Sequence, residues 1–93
     1  MNVVFLDRDG TLIVEPPDEQ VDSLEKLEFV PGIVQGLQLL TAAEYELVIV
    51  TNQDNLGTER YPQAAYDLVQ SRMLNFFAGE GIHFSKIFMC PHN

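Results

Sequence analysis

The sequence predicts an α/β fold, a Rossmann-like parallel sheet with flanking helices. Three observations predict it. Residues 3–6 and 47–50 are short, continuous apolar runs rich in β-branched side chains, which read as buried strands. Between them Ile33, Leu37 and Leu40 fall at i, i+4 and i+7, with Val34 beside them, as on one face of a helix. Strand, helix and strand over this span form a βαβ unit, so the two strands should run parallel.

The elements follow in order. Residues 3–6 form the first strand, ended at once by Asp7. Residues 13–30 hold Pro16, Pro17 and many acids with little periodicity, so they read as an excursion, a flap or small hairpin. Pro31-Gly32 opens the first helix, with proline suited to a first turn. Residues 47–50 form the second strand, and residues 51–61 a loop containing Asn55 and Gly57. Pro62 starts a second helix whose inner face is traced by Ala65, Leu68, Val69, Met73, Phe76 and Phe77. Gly79 and Gly81 end it. Residues 86–90 are a third short strand, giving three core strands, two helices and one flap.

Composition narrows the partners. A chain of 93 residues holds a single domain, here residues 1–93, with a core of marginal size. The formal charge is -9, from 14 acidic and 5 basic residues. That balance disfavours nucleic acid, which is held by Lys and Arg contacts to phosphate, and disfavours an anionic membrane. An apolar run of residues 3–6 is too short for a signal peptide or a membrane span. The single cysteine, Cys90, excludes an internal disulfide and fits a reducing, cytoplasmic setting.

The chemistry gathers after the first strand. In an extended segment residues i and i+2 share a side, so Asp7 and Asp9 can converge on one space with Arg8 turned away. Two close carboxylates call for a cation or a shared proton, and Mg²⁺ suits carboxylate, carbonyl, water and phosphate oxygens. One carboxylate could attack phosphorus, and the other could move the proton. Gly10 lets the backbone turn sharply beside a ligand. Ligands of open parallel sheets collect at the carboxyl ends of strands, where Asp7, Thr51 and Cys90 all lie.

These residues resemble the haloacid dehalogenase superfamily of phosphotransferases. Phe5-Leu6-Asp7-Arg8-Asp9-Gly10-Thr11-Leu12 is similar to its first motif, and Val48-Ile49-Val50-Thr51 to its second. The resemblance implies Asp7 as nucleophile and Asp9 as general acid/base. It implies that Mg²⁺ takes a carboxylate oxygen of Asp7 and the backbone carbonyl of Asp9, and that Thr51 holds the transferring phosphoryl group. Arg8, Gly10, Thr11, Glu15, Asn52 and Gln53 are implied as further substrate or phosphate contacts.

Thr51-Asn52-Gln53 and Cys90-Pro91-His92 resemble the branch that holds histidinol-phosphate and heptose-bisphosphate phosphatases. Glu15-Pro16-Pro17, Gln20-Val21-Asp22, Lys26-Leu27 and residues 54–58 are closer to the histidinol-phosphate side, including the phosphatase domains of bifunctional histidine-biosynthesis enzymes. The resemblance thus implies hydrolysis of L-histidinol phosphate through a phospho-aspartate. The alternatives are a heptose bisphosphate as substrate, or a catalytically inactive fragment. An acidic flap with Glu15, Asp18 and Glu19 could attract the cationic end of histidinol phosphate. Cys90 and His92 resemble the first two ligands of a structural Zn²⁺ loop, begun by residues 90–93 and incomplete within the chain. The family pattern also continues to a lysine and a further acidic motif that the 93 residues lack. The expectation is therefore a truncated domain whose first strand keeps an unpaired edge, open to self-association.

Overall fold

The computed structural model describes residues 2–92. In chain order it holds β1 (Asn2–Asp7), a 3₁₀ turn (Leu24–Lys26), α1 (Ile33–Ala42), β2 (Tyr45–Asp54), α2 (Gln63–Gly79) and β3 (Lys86–His92). The strands form one sheet in the order β1-β2-β3, and both pairings are parallel, as the βαβ pattern requires. Asp7 stands opposite Val50, so Thr51 lies one residue beyond the partner of the first aspartate.

Both helices pack on the same face of the sheet. Val4, Leu6, Leu47 and Ile49 meet Leu37 of α1 and Val69, Met73 and Phe77 of α2 in one core. Two crossovers of the usual hand that step across a sheet in one direction carry their helices to one side. The opposite face is open, and this corrects the expectation of a fully buried first strand. Phe5 is 67% and Val3 42% exposed, and Val50 and Phe88 share that exposure. An apolar strand sequence suits two covered faces, but here the two helices cover one.

Two boundaries and one helix face also differ from the sequence reading. β2 continues through Asp54, and β3 through His92, because residues 52–54 pair with residues 90–92. Each strand satisfies the backbone groups of the other there, which a single sequence does not reveal. The inner face of α2 is Tyr66, Val69, Met73 and Phe77. Leu68 is exposed, and Phe76 lies at the margin, where its ring meets Phe29 at 4.1 Å between centroids. Glu44, just past the end of α1, takes the left-handed conformation, at φ 66°.

The flap is tied to the body at its base and its tip. Val14 N–H donates to the Glu28 carbonyl and Val30 N–H to the Leu12 carbonyl, a narrow antiparallel stem. Val21 is buried in the main core. Lys26 bridges Asp18 at 2.6 Å and Asp22 at 2.8 Å. The hydrogen bond from Lys26 lowers the Asp18 carboxyl below its ordinary value, and the same bond raises the Lys26 ammonium.

Candidate active site

β1 delivers Asp7 as its last residue, and the chain then folds back sharply. Gly10 takes φ 91°, a left-handed conformation that suits glycine. The Arg8 carbonyl accepts from the N–H groups of Leu12 at 2.9 Å and Ile13 at 3.1 Å, and Gly10 N–H donates to the Ile13 carbonyl at 2.7 Å. This compact turn puts both aspartates at the carboxyl end of the sheet, where ligands of parallel sheets bind. Asp7 is exposed, and its Oδ1 accepts from the Arg8 N–H at 3.0 Å. One carboxylate oxygen is thereby oriented by the backbone.

Asp9 is held at both oxygens. Arg8 Nε donates to Oδ1 at 3.2 Å, and Nη2 of the same guanidinium lies 3.2 Å from that oxygen. Gln53 Nε2 donates to Oδ2 at 2.7 Å. The same Gln53 nitrogen donates to Thr51 Oγ1 at 2.7 Å. Thr51 and Gln53 are both buried, while Asn52 and Asp54 between and beyond them are exposed. The strand alternation of β2 thus sends one pair inward and the other toward solvent.

A cleft opens over this end of the sheet. It is lined by Asp7, Asp9, Glu15, Glu19, Asn52 and Asp54. Five of these six residues carry carboxylates, and none carries a cation. A phosphate ester entering here meets a negative wall, so a bound cation is the natural complement. Asp7 and Asp9 offer hard oxygen donors of the kind Mg²⁺ accepts, and Mg²⁺ is commonly held by one or two carboxylates with substrate phosphate. The donor set therefore fits that ion. Among the described residues no group of three or more His, Cys, Asp or Glu side chains is arranged to hold a metal by itself.

The expected contacts divide. Asp7, Asp9, Glu15 and Asn52 line the cleft together. Gly10 is exposed and Thr11 half-buried on the turn, outside that lining. Arg8, also among the expected contacts, has its side chain inside the protein, 0% exposed. Its Nη1 donates to Gln70 Oε1 at 3.0 Å and its Nη2 to the Tyr61 hydroxyl at 3.5 Å. Its guanidinium lies 4.9 Å from the centroid of the Tyr66 ring, the range of a cation–π contact. Tyr61 in turn donates to the Val21 carbonyl at 3.3 Å, which joins the turn to the flap. Burial raises both tyrosine hydroxyls above their ordinary value, so they stay protonated donors.

Of the flap acids, Glu15 and Glu19 reach the cleft and Asp18 does not, being engaged by Lys26. Asp54 was not singled out as a site residue. The signal that finds it is alternation, which becomes readable once β2 is known to run past Thr51. Gln70, Tyr61 and Tyr66 carry no sequence signal, because their role is to receive a buried arginine distant in the chain.

The segment expected to open a Zn²⁺ loop forms the end of β3 as far as His92. Cys90 is a free, exposed thiol, and the His92 side chain lies outside the described residues. Among the described residues no helix is long and apolar enough to cross a membrane.

With this geometry in place, similarity to known proteins is informative. No protein-family model matches the chain. It is 51% identical over 85 residues to the histidine biosynthesis bifunctional protein HisB of Xanthomonas campestris pv. campestris, an alignment that covers 91% of this chain and 23% of that protein. The chain therefore spans about a quarter of the length of the curated relatives it matches. Among solved structures it is similar to a D,D-heptose 1,7-bisphosphate phosphatase of B. bronchiseptica crystallised with magnesium and phosphate. The TM-score is 0.89 and the identity 31%, over 100% of this chain and 51% of that one. A had-like phosphatase from Mesorhizobium loti, at TM-score 0.82 and 24% identity over 99% of this chain and 43% of that one, shares the fold.

Proposed function

We propose that this chain, a relative of the HisB bifunctional proteins with the fold of the haloacid-dehalogenase-like phosphatases, carries the nucleophile side of a Mg²⁺-dependent phosphomonoesterase acting on L-histidinol phosphate. One observation carries the reading: Asp7 and Asp9 share a cleft at the carboxyl end of a parallel sheet, with Thr51 behind them on the next strand. Its products would be L-histidinol and phosphate.

In this mechanism the free oxygen of Asp7 attacks phosphorus and the ester P–O bond breaks. Asp9 gives its proton to the leaving alkoxide, so the alcohol departs neutral. Asp9 then takes a proton from water, whose oxygen attacks the aspartyl phosphate and releases phosphate with Asp7 restored. Thr51 would donate its hydroxyl proton to a phosphoryl oxygen. Asp7, with the Asp9 backbone carbonyl, would hold Mg²⁺, which supplies positive charge against the phosphoryl oxygens.

The acidic wall favours histidinol phosphate over a bisphosphate. Histidinol phosphate brings an ammonium and an imidazole, which Glu15, Glu19 and Asp54 would attract. A second phosphate would face the same three carboxylates and be repelled. The competing reading, a heptose-bisphosphate phosphatase, is supported by the TM-score of 0.89 to such an enzyme. Phosphate release from a protein that joins this chain to the lysine and acidic motif of the family pattern tests both. Turnover of histidinol phosphate that stops with EDTA and returns with Mg²⁺ is the expected result. Turnover of heptose bisphosphate alone would reverse the choice of substrate.

A further inference from the structure

Gln53 does more than fill the interior. It is 2% exposed, and its amide nitrogen lies 2.7 Å from both Asp9 Oδ2 and Thr51 Oγ1. A primary amide has two N–H groups, and here each is spent on a residue of the proposed chemistry. The orientation is dictated by charge. With Asp9 ionised, turning the amide over would set its carbonyl against the carboxylate, acceptor against acceptor.

We infer that Gln53 is a positioning residue that fixes Asp9 for proton transfer and, through the same nitrogen, aims the Thr51 hydroxyl at the phosphoryl group. Thr51 Oγ1 accepts from Gln53 on one side. Its own proton is then left to donate outward, toward the strand end where the phosphoryl group would sit. Asp9 cannot swing, because Arg8 holds its other oxygen. Gln53 therefore couples the two halves of the reaction, leaving-group protonation and phosphoryl stabilisation, through one buried group. No bond of Gln53 is made or broken in the cycle.

The inference rests on the proposed role of Asp9, and the test separates the two. Gln53→Met keeps the length and loses both donors. With an alkyl phosphate, whose leaving group needs a proton, kcat should fall about 100-fold, the scale of a misplaced reacting group. With p-nitrophenyl phosphate, whose phenolate leaves unaided, the fall should be about 10-fold or less, and KM should change less than kcat for both. Equal losses on the two esters would overturn the inference. A second measurement needs no turnover. In NMR spectra of the full chain, the Gln53 side-chain amide protons should exchange slowly, and Asp9→Asn should shift both those signals and the Thr51 methyl. A fast-exchanging Gln53 amide, or a Thr51 methyl blind to Asp9→Asn, would overturn it even in a chain that releases no phosphate. Absence of phosphate release from the wild type would count against the proposed function alone.

Discussion

The two sides of the turn after β1 are built on opposite terms. Behind it, Arg8, Gln53, Gln70, Tyr61 and Tyr66 form a buried web around the guanidinium, whose nitrogens meet Asp9, Gln70 and Tyr61 and whose plane lies against the Tyr66 ring. In front of it, Asp7, Glu15, Glu19 and Asp54 face solvent across a cleft without a cation. Asp9 belongs to both sides. The contrast teaches how a small domain can present unbalanced charge: the reactive edge stands on a buried arginine whose own charge is met by Asp9, Gln70 and Tyr61.

Substitutions can break this contrast on either side. The largest effect on the open side should come from Asp7→Asn, which removes the attacking oxygen while leaving the web intact. Phosphatase activity should fall by at least about 10³-fold, as when a nucleophile is lost. Circular dichroism and the unfolding midpoint should stay near those of the wild type. A variant that unfolds instead would show that Asp7 is structural.

On the closed side Arg8→Met should cost stability. Removing one partner of a buried pair leaves its carboxylate uncompensated, at about 3 kcal/mol or more. Urea unfolding measures this, and a midpoint equal to the wild type would mean that the web is not a keystone. Activity should fall too, because Asp9 loses one of its two anchors. The sharpest comparison is between the two variants, one inactive and stable, the other unstable.

A smaller effect should follow from neutralising the flap acids. Glu15→Gln with Glu19→Gln should raise KM for histidinol phosphate about fivefold, the scale of exposed ion pairs. The same double variant should leave turnover of a phosphate monoester of an uncharged alcohol unaffected or improve it. Steady-state kinetics at low salt checks this, since screening would mask the difference.

The smallest effect concerns the tip of the flap. The Asp18 carboxyl is lowered by its bond from Lys26, so its stabilising contribution is present above the ordinary carboxylate value of 3.8 and lost as pH falls further. The Lys26 ammonium is raised by the same bond, so its contribution is present below 10.5 and lost as pH climbs past its raised value. Lys26→Met should remove both limbs. Both groups are exposed, so hydrogen exchange of the flap amides is a better probe than global unfolding. Flap exchange that quickens at neutral pH in the variant is the expected outcome.

Much of the site could be read before the fold was known, for a local reason. Asp7 and Asp9 are two residues apart after an apolar run, so strand geometry alone brings them to one side. Arg8 shows where that logic stopped. Alternation predicts it turned away from both aspartates, yet its guanidinium reaches back to Asp9, and nothing local says that it would be buried among α2 and the loop before it. Asp54 was hidden for a similar reason: its alternation counts only if β2 continues, and β2 continues because β3 pairs with it.

What the sequence by itself determined is therefore short-range: a parallel βαβ frame, the end of β1, and the residue types able to attack phosphorus there. Periodicity and turn chemistry act over a few residues, and they suffice for that. Only the tertiary structure decided which carboxylates share the cleft, that Gln53 faces inward to Asp9 and Thr51, and that the sheet keeps one open face. Those outcomes depend on contacts between segments 40 or more residues apart in the chain, whose pairing is set by packing rather than by any local pattern.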